Sequence, residues 1–564
     1  MPNSMNQTQD SSAGFAVWLA ALVLTALGAQ LWIVWLYGSP MPIWDQWVEA
    51  TAIFKPWLAG HLTWSALVAP DNNHRILVTR LLDLGVIELN GRWDPLLQMT
   101  VNVFIHAIFV AVLAFFFWDF WGRKNGWLVC FLLMPFFILP YGGENAIWGM
   151  DSQWYFLDLF ALIAVAGLGF AKPGSWRWWL GLGAAILGPF SMASGLLAPV
   201  AAGGVVLLRA IKRRRMNKET LAGLGVCLLL AGLGALLVAA PKSNGPLQAQ
   251  SFGDFTASLA HNLAWPFPDA TVMACVIALP LVLLLVLYLR PDFQEATLAE
   301  LVLVLALWSA MQSVAIAFGR ANSGLYLTPP SRYMDVCNVF VIASLFAAVL
   351  TGQVWGHKWL PAWDGLLLPL IFAGVIIFGL CRISQRVVED VLVVTREWNL
   401  IAQERAQTYL ATGNPKELFD APTIQPDPRQ ALRVLGDPTL RTILPVACFP
   451  PPAAPPPGRV SGAARWLLNH SIGIFSVGLV LYVGLCGYGL ARGRPGLKVK
   501  MPAGIFALLA GLLALAFVWS NRSLQRKAVE YDLQQQIADY FKAANRPDRA
   551  AIHQQKADEL KPNR

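Results

Sequence analysis

Apolar positions in this chain do not alternate with polar ones as on a surface helix or a strand. They run on for about 20 residues at a time between Phe15 and Ser520, long enough to cross a hydrocarbon core about 30 Å thick. Read with approximate ends, thirteen such spans lie near 15–37, 96–118, 127–141, 154–171, 176–193, 195–210, 221–240, 269–289, 297–318, 335–355, 363–381, 470–491 and 502–520. The expected fold class is therefore all-α, a polytopic transmembrane helix bundle of about thirteen spans. The first run is too long for a signal-peptide core and lacks a basic n-region, so it is expected to stay as a membrane helix. Between Trp176 and Ala210 two short helices meeting at Ser191-Met192-Ala193-Ser194-Gly195 are preferred to one helix kinked at Pro189 and Pro199. A single span would carry Arg213, Arg214 and Arg215 to the other side and invert every later basic loop.

The polar stretches divide the chain. A transmembrane module covers 1–381 and includes a long first external loop, 38–95; a small external helical domain covers 382–469; two further spans fill 470–520; an amphipathic tail covers 521–564. The first loop reads as two short helices around a turn at Ala69-Pro70-Asp71-Asn72-Asn73. In the second of them Ile76, Leu77, Leu81, Leu84 and Ile87 fall near helical spacing, with Arg80 and Asp83 on another face, as in a helix lying at the interface. The 382–469 stretch opens with a charged helical segment, Gln385 to Thr412, and closes with the proline cluster Pro450–Pro457.

Composition narrows the classes. Hydrophobic residues make up 56% of the 564 and charged residues 13%, against about 25% charged in a soluble domain. That excludes a soluble enzyme, a secreted disulfide scaffold and a disordered chain. With a cytoplasmic N-terminus, one side collects Arg123, Lys124, Lys172, Arg177, Arg209, Lys212, Arg213, Arg214, Arg215, Lys218, Arg290, Lys358, Arg492, Arg494, Lys498 and Lys500. This positive-inside pattern accounts for most of the net charge of +9, so no nucleic-acid partner is expected. Five of the seven cysteines sit in or beside apolar runs, and no disulfide framework or metal knot is implied.

Polar residues gather at the predicted external ends of the spans. Six clusters do so: Trp44-Asp45-Gln46-Trp47-Val48-Glu49, Asp71-Asn72-Asn73-His74-Arg75, Gly142-Gly143-Glu144-Asn145, Gly149-Met150-Asp151-Ser152-Gln153, Gly319-Arg320-Ala321-Asn322-Ser323 and Ser331-Arg332-Tyr333-Met334-Asp335. Charges near the bilayer are costly unless they pair or line a wet cavity, which predicts one outward-facing site. In a helix, Asp45 and Glu49 would share one side and could act together on a metal, a water or an acceptor hydroxyl. Asp45 reads equally as a cap for the helix after Pro42, with Trp44 and Trp47 in the interfacial aromatic belt. His74 and Arg75 carry donors suited to a phosphate or a sugar hydroxyl, or else follow an Asn72 or Asn73 cap as solvated first-turn residues. Glu144 and Asp151 form a second acidic pair that could complete, with Asp45, an oxygen site for Mg²⁺ or Mn²⁺. Arg320 and Arg332 flank the loop holding Gly324, Tyr326, Pro329 and Pro330, a clamp for a lipid-borne phosphate or pyrophosphate. The alternative for both is pairing with Asp335, Glu144 or Asp151 to hold helix ends together.

Taken together, the N-terminal span, the acidic residue just after it (Asp45), the long first loop with two surface helices and the many spans resemble the GT-C-type integral membrane glycosyltransferases. A closer resemblance is to a bacterial branch of polytopic proteins carrying Trp-Asp-x-Trp, Asn-x-His-Arg and Ser-Arg-Tyr elements, seen here as Trp44–Trp47, Asn72–Arg75 and Ser331–Tyr333. The likeness covers about residues 10–380. It implies an inner-membrane enzyme that moves a sugar from a polyprenyl-phosphate or polyprenyl-pyrophosphate lipid to a glycan, lipid or protein acceptor on the outer face. In that scheme the first-loop aspartate, Asp45, is base or metal ligand; as base it is helped by Glu49 or His74. Arg75, Arg320, Arg332 and Tyr333 face the donor phosphate, and Glu144 and Asp151 face the acceptor or a divalent cation. The chain lacks the adjacent acidic pair that some members carry in the first loop. No ATP site is needed, and no Walker-type glycine loop is present. Two other expectations stand beside this one: a transporter or flippase of lipid-linked saccharides, which would need ionisable groups at mid-membrane depth such as Asp158 and His106, and a polysaccharide polymerase or ligase.

Overall fold

The computed structural model of the chain describes residues 3–121, 126–238, 245–293, 295–322, 329–359, 364–419, 427–491, 523–543 and 547–561. Every regular element among them is helical; the one ladder contact is an isolated antiparallel bridge between Asp71 and His74. Among the described residues, eight helices are long and apolar enough to cross a membrane. Ten are, if each of two bent pairs is one span: Gly126–Ile138 with Pro140–Ile147, bent by 41°, and Ser461–Asn469 with Ser471–Gly487, bent by 52°. Two expected spans come out short. The one near 176–193 is the 12-residue helix Trp176–Leu187, about 18 Å long against a core of about 30 Å. The one near 269–289 is the 16-residue helix Met273–Tyr288. The chain breaks at Ser191-Met192, between the 3₁₀ turns Gly188–Phe190 and Ala193–Leu196, before entering the helix Leu197–Arg213. The span expected at 502–520 lies outside the described residues, as do the basic residues expected at 123–124 and 492–500.

One large apolar core unites the bundle. The helix Ser471–Ala491 docks on the first helix, Asn3–Tyr37, although they are far apart in sequence. A Cβ on Gly28 would lie 2.3 Å from the backbone nitrogen of Phe475, and one on Gly478 would lie 2.4 Å from that of Thr25. Only glycine lets the two backbones touch, as small residues do between membrane helices.

The polar segments 38–94, 140–151 and 331–335 meet at one end of this bundle, the loop face. Thr79 Oγ1 lies 2.9 Å from Ser152 Oγ, Asn102 Nδ2 donates to Gly149 O at 2.8 Å, and Arg332 pairs with Glu144 at 2.8 Å. At the opposite end, Arg209 donates to Glu300 Oε2 at 2.7 and 3.1 Å and to Gly169 O at 3.0 Å, while Tyr288 donates to Glu300 Oε1 at 2.7 Å.

The first loop and the 382–469 stretch, expected as two separate parts, instead share one core. Met41, Trp47, Ile53, Phe54 and Trp93 from the loop pack with Ala406, Tyr409, Val434, Leu440, Leu444 and Cys448. Hydrogen bonds tie the halves across 350 or more positions of sequence. Gln430 Nε2 donates to Trp47 O at 2.9 Å and to Thr51 Oγ1 at 2.6 Å, Trp93 N donates to Ile443 O at 2.9 Å, and Arg92 donates to Leu444 O at 2.7 Å. The result is a roof over the loop face, built from both ends of the chain. It is carried by a continuous helical rod: Asp364–Val387, a π turn at Val388–Leu392, then Val393–Thr412. The tail also joins it, as two helices, Ser523–Ala543 and Pro547–Leu560. Leu533, Ile537, Phe541 and Ala550 pack around Ile401, and Gln534 donates to Glu397 at 2.6 Å.

Candidate functional site

Asp45 stands at the entry of a helical run, 46–58, that contains a π turn at Ala50–Phe54. π turns insert one residue into the helical register and occur often at functional sites. Asp45 does not cap this run: its side chain accepts no backbone hydrogen bond. It is half-buried, and burial pushes its carboxyl above the usual range; the Arg332 guanidinium opposes this and Glu49 adds to it. Its neighbour Trp44 has φ +46° and is 54% exposed, a left-handed conformation that a bulky side chain rarely adopts.

Glu49 faces away from that opening into a buried ion pair. Arg80 holds it with two hydrogen bonds, 2.8 and 2.7 Å, and spends its remaining donors on the carbonyls of Ala66, Leu67 and Ala69. This pair fixes the 46–58 run to the helix Leu77–Asn90. Beside it runs a buried amide chain: Gln46 Nε2 donates to Gln98 Oε1 at 3.1 Å, Trp93 Nε1 donates to the same oxygen at 2.9 Å, and Gln98 Nε2 donates to Asp83 at 2.6 Å. Burial raises the Asp83 carboxyl well above its usual range, the bond from Gln98 opposes this, and Glu49 adds to it.

Asp71 and His74 close a tight turn by exchanging backbone hydrogen bonds of 2.8 and 2.9 Å, with Asn72 at φ +50°. The expected Asn72 or Asn73 cap is not formed. The following helix starts only after Ile76 and has no side-chain cap. Burial, and then the charges of Asp45 and Glu49, lift the Asp71 carboxyl to about 7, with Arg80 opposing. His74 Nδ1 accepts from Ala193 N at 3.3 Å; burial and the nearby Arg320 cation lower it to about 4, so it is neutral. Arg75 is not a first-turn residue in solvent: it donates to Val68 O at 2.6 Å and to Leu237 O at 2.8 Å.

The other wall comes from the bundle. Glu144 pairs with Arg332 and also accepts from Arg332 N at 3.2 Å, tying 140–147 to the start of the helix Ser331–Trp359. This is one of the pairings expected as the alternative to a phosphate clamp. Arg320 Nε donates to Tyr333 Oη at 3.1 Å, and the Arg332 guanidinium lies 5.3 Å from the Tyr333 ring centroid. Asp151 is 2% exposed, its Oδ2 has no hydrogen-bond partner among the described residues, and its Oδ1 accepts only from Gln153 at 3.4 Å. Burial, then Glu144, raise the Asp151 carboxyl well above the usual range, and Arg332 pulls it down.

One guanidinium, Arg332, thus acts on Asp45, Glu144 and Asp151 at once. Asp45, Asp71, Asp151 and Arg332 converge, while Glu49 and Arg75 are committed to fixed partners. No group of three or more His, Cys, Asp or Glu among the described residues is placed to hold a metal ion, so Asp45, Glu144 and Asp151 do not make the three-ligand set expected of them. The centre of the Arg320–Arg332 loop, with Gly324 and Tyr326, is outside the described residues. The sequence pattern placed Trp44 and Asp71 in its polar clusters and Arg80 on the polar face of the second loop helix, but gave none of the three a role at the site.

The fold and site define an all-helical membrane protein with a roofed, acid-rich polar site at one end of its bundle. No family model matches the chain, and neither the curated proteins nor the solved structures gave a match.

Proposed function

We propose that the protein is an integral membrane glycosyltransferase that moves a sugar from a polyprenyl-phosphate or polyprenyl-pyrophosphate donor to a glycan, lipid or protein acceptor. In this reading the bundle crosses the cytoplasmic membrane about thirteen times, with the N-terminus cytoplasmic and the loop face outside. The observation that carries it is Asp45: a carboxyl with no hydrogen-bonded cap role, its basicity raised by burial, under the field of a single arginine. Such a group is suited to take a proton from an acceptor hydroxyl. The acceptor oxygen then bonds to the anomeric carbon as the bond to the lipid phosphate breaks, and the electron pair leaves with the phosphate. Arg332 and Arg320 supply the positive charge that the leaving anion needs, with Tyr333 holding Arg320. Glu49, through Arg80, positions the Asp45 helix. Neutral His74 positions the turn beneath Arg320, and Arg75 anchors that turn. Glu144 and Asp151 set the field of Arg332 and border the acceptor.

The test is the sugar composition of envelope glycans and lipids in a strain lacking the protein, complemented at equal abundance with the normal chain or with Asp45→Asn. Loss of one sugar, restored only by the normal chain, is expected. Restoration by both chains removes Asp45 as the base. A transporter or flippase of lipid-linked saccharides is the second reading, favoured by the ionisable pair Asp158 and His106 buried inside the bundle.

A further inference from the structure

Polar residues continue below the site into the bundle on three adjacent helices. Gln98, Asn102 and His106 follow one another at intervals of four on the helix Pro95–Phe120. Asp151, Tyr155 and Asp158 do so at four and three on and just before Ser152–Phe170, and Asp335 and Asn338 follow Arg332 at intervals of three on Ser331–Trp359. Such spacing places each set on one face of its helix. The three files meet: His106 lies 5.0 Å from the Tyr155 ring, and Asp335 acts electrostatically on both Tyr155 and Asp158; the 140–147 segment ties onto the third file, Asn145 Nδ2 donating to Asp335 at 2.8 Å and Asn338 Nδ2 to the Tyr141 hydroxyl at 2.5 Å.

The column ends at Asp158, about 10 Å below Asp151 by helical rise. Asp158 is 2% exposed, and neither carboxyl oxygen has a hydrogen-bond partner among the described residues. It lines a cavity with room for about one water, walled by Phe109, Leu113, Leu162, Leu305 and Trp308. The groups within electrostatic reach of it are Asp335, Tyr141, Tyr155 and Cys337; none is a cation. His106 Nδ1, close by on Tyr155, is also without a hydrogen-bond partner among the described residues. An ionised carboxylate in such a place, with no countercharge and no donors, is too costly to persist.

We propose that Asp158 is a proton-binding site inside the membrane, loaded from the loop face through Asp335 and the polar column. A proton taken from water at that face bonds to the Asp158 carboxylate and leaves by the same path. The cavity wall excludes a metal cation as the occupant, because one carboxyl among hydrocarbon side chains offers far fewer than the six or so oxygens such an ion needs. The apolar wall also separates Asp158 from the far end, so the site exchanges with one side only. Three of the four helices that line the cavity carry Arg332, Asp151 and the Gln98 chain at or just above their tops, so its occupancy bears directly on the packing beneath the candidate site. The inference is independent of the glycosyl-transfer reading and holds for a transporter equally.

The experiment is infrared spectroscopy of the full chain in lipid nanodiscs, from mildly acidic to mildly basic solution, for the normal protein, Asp158→Asn and Asp335→Asn. The expected result is a protonated-carboxyl C=O band that persists at neutral pH in an apolar environment and vanishes in Asp158→Asn. In Asp335→Asn it should remain but exchange with D₂O at least several-fold more slowly. A band unchanged in Asp158→Asn, or no such band in the normal protein, overturns the proposal. If Asp158→Asn fails to fold, the titration of the normal protein and its response to sodium replacing potassium still decide: a band abolished by sodium makes this a cation site and sinks the proton assignment.

Discussion

The two ends of the bundle each hold a guanidinium–carboxylate pair, and the pairs differ in what surrounds them. At the far end Arg209 meets Glu300, Tyr288 and Gly169 fill the remaining hydrogen-bonding positions, and the Lys212 ammonium lies 4.2 Å from the Tyr288 ring centroid, within electrostatic reach of the same carboxylate. One carboxylate there faces two cations, and the Lys212 Nζ has no hydrogen-bond partner among the described residues, so any surplus at that end is of cation and not of acid. At the loop face Arg332 serves Glu144 and also acts on Asp45 and Asp151, and an oxygen of Asp151 has no partner among the described residues. An interior optimised only for stability has no use for surplus buried acid; such surplus is the signature of a site that binds or reacts.

Substitutions should pull this contrast apart. The largest effect expected is from Asp45→Asn: transfer falls by about 100-fold or more, measured as sugar incorporation per folded molecule, while thermal stability in detergent moves by less than about 0.5 kcal/mol. Arg209→Ala should do the reverse. It strands Glu300, which is 7% exposed, and should cost about 3 kcal/mol, the low end for a broken buried pair because Arg209 is 24% exposed. Activity per folded molecule should be unchanged; if Arg209→Ala abolished transfer at normal stability, the far end would not be merely structural.

The pH dependence sharpens the same contrast from two sides. Asp71 binds its proton more tightly folded, at about 7, than unfolded, so its contribution is present at low pH and is lost as pH rises from about 4 to about 7. His74 is depressed to about 4; its contribution is present above about 6.5 and lost as pH falls from there to about 4. Asp71→Asn should flatten the first slope by at most about 4 kcal/mol and His74→Gln the second by at most about 3 kcal/mol in stability-versus-pH curves. The smallest effect expected is from Lys55→Ala. Its 2.5 Å pair with Asp437 lies at the surface, with Lys55 49% exposed, and should be worth less than about 1 kcal/mol in chemical denaturation.

Much of the bundle was legible because a membrane helix announces itself locally, by length and apolarity, and Pro95–Phe120 or Ala296–Arg320 could hardly be anything else. The grouping of polar clusters was legible for the same reason, since span ends place them at one level. What could not be read was who pairs with whom. Glu49 finds Arg80 across 31 positions, and Trp47 meets Gln430 across 383; no local period encodes such contacts. The apolar residues of 393–449 are too sparse to read as half of a core until the other half, in the first loop, is folded against them.

The rod that carries the roof is also a lever. Its outer arm, Val393–Thr412, has 20 residues, about 30 Å of helix, so a rotation of about 10° at its base would swing its tip by about 5 Å. The base is the π turn, where Leu392 presses on Gly143: a Cβ there would lie 2.9 Å from Leu392 Cδ1. Gly143 adjoins Glu144, the partner of Arg332. The fulcrum and the candidate site are therefore one piece of machinery. A tilt of that single helix would move both.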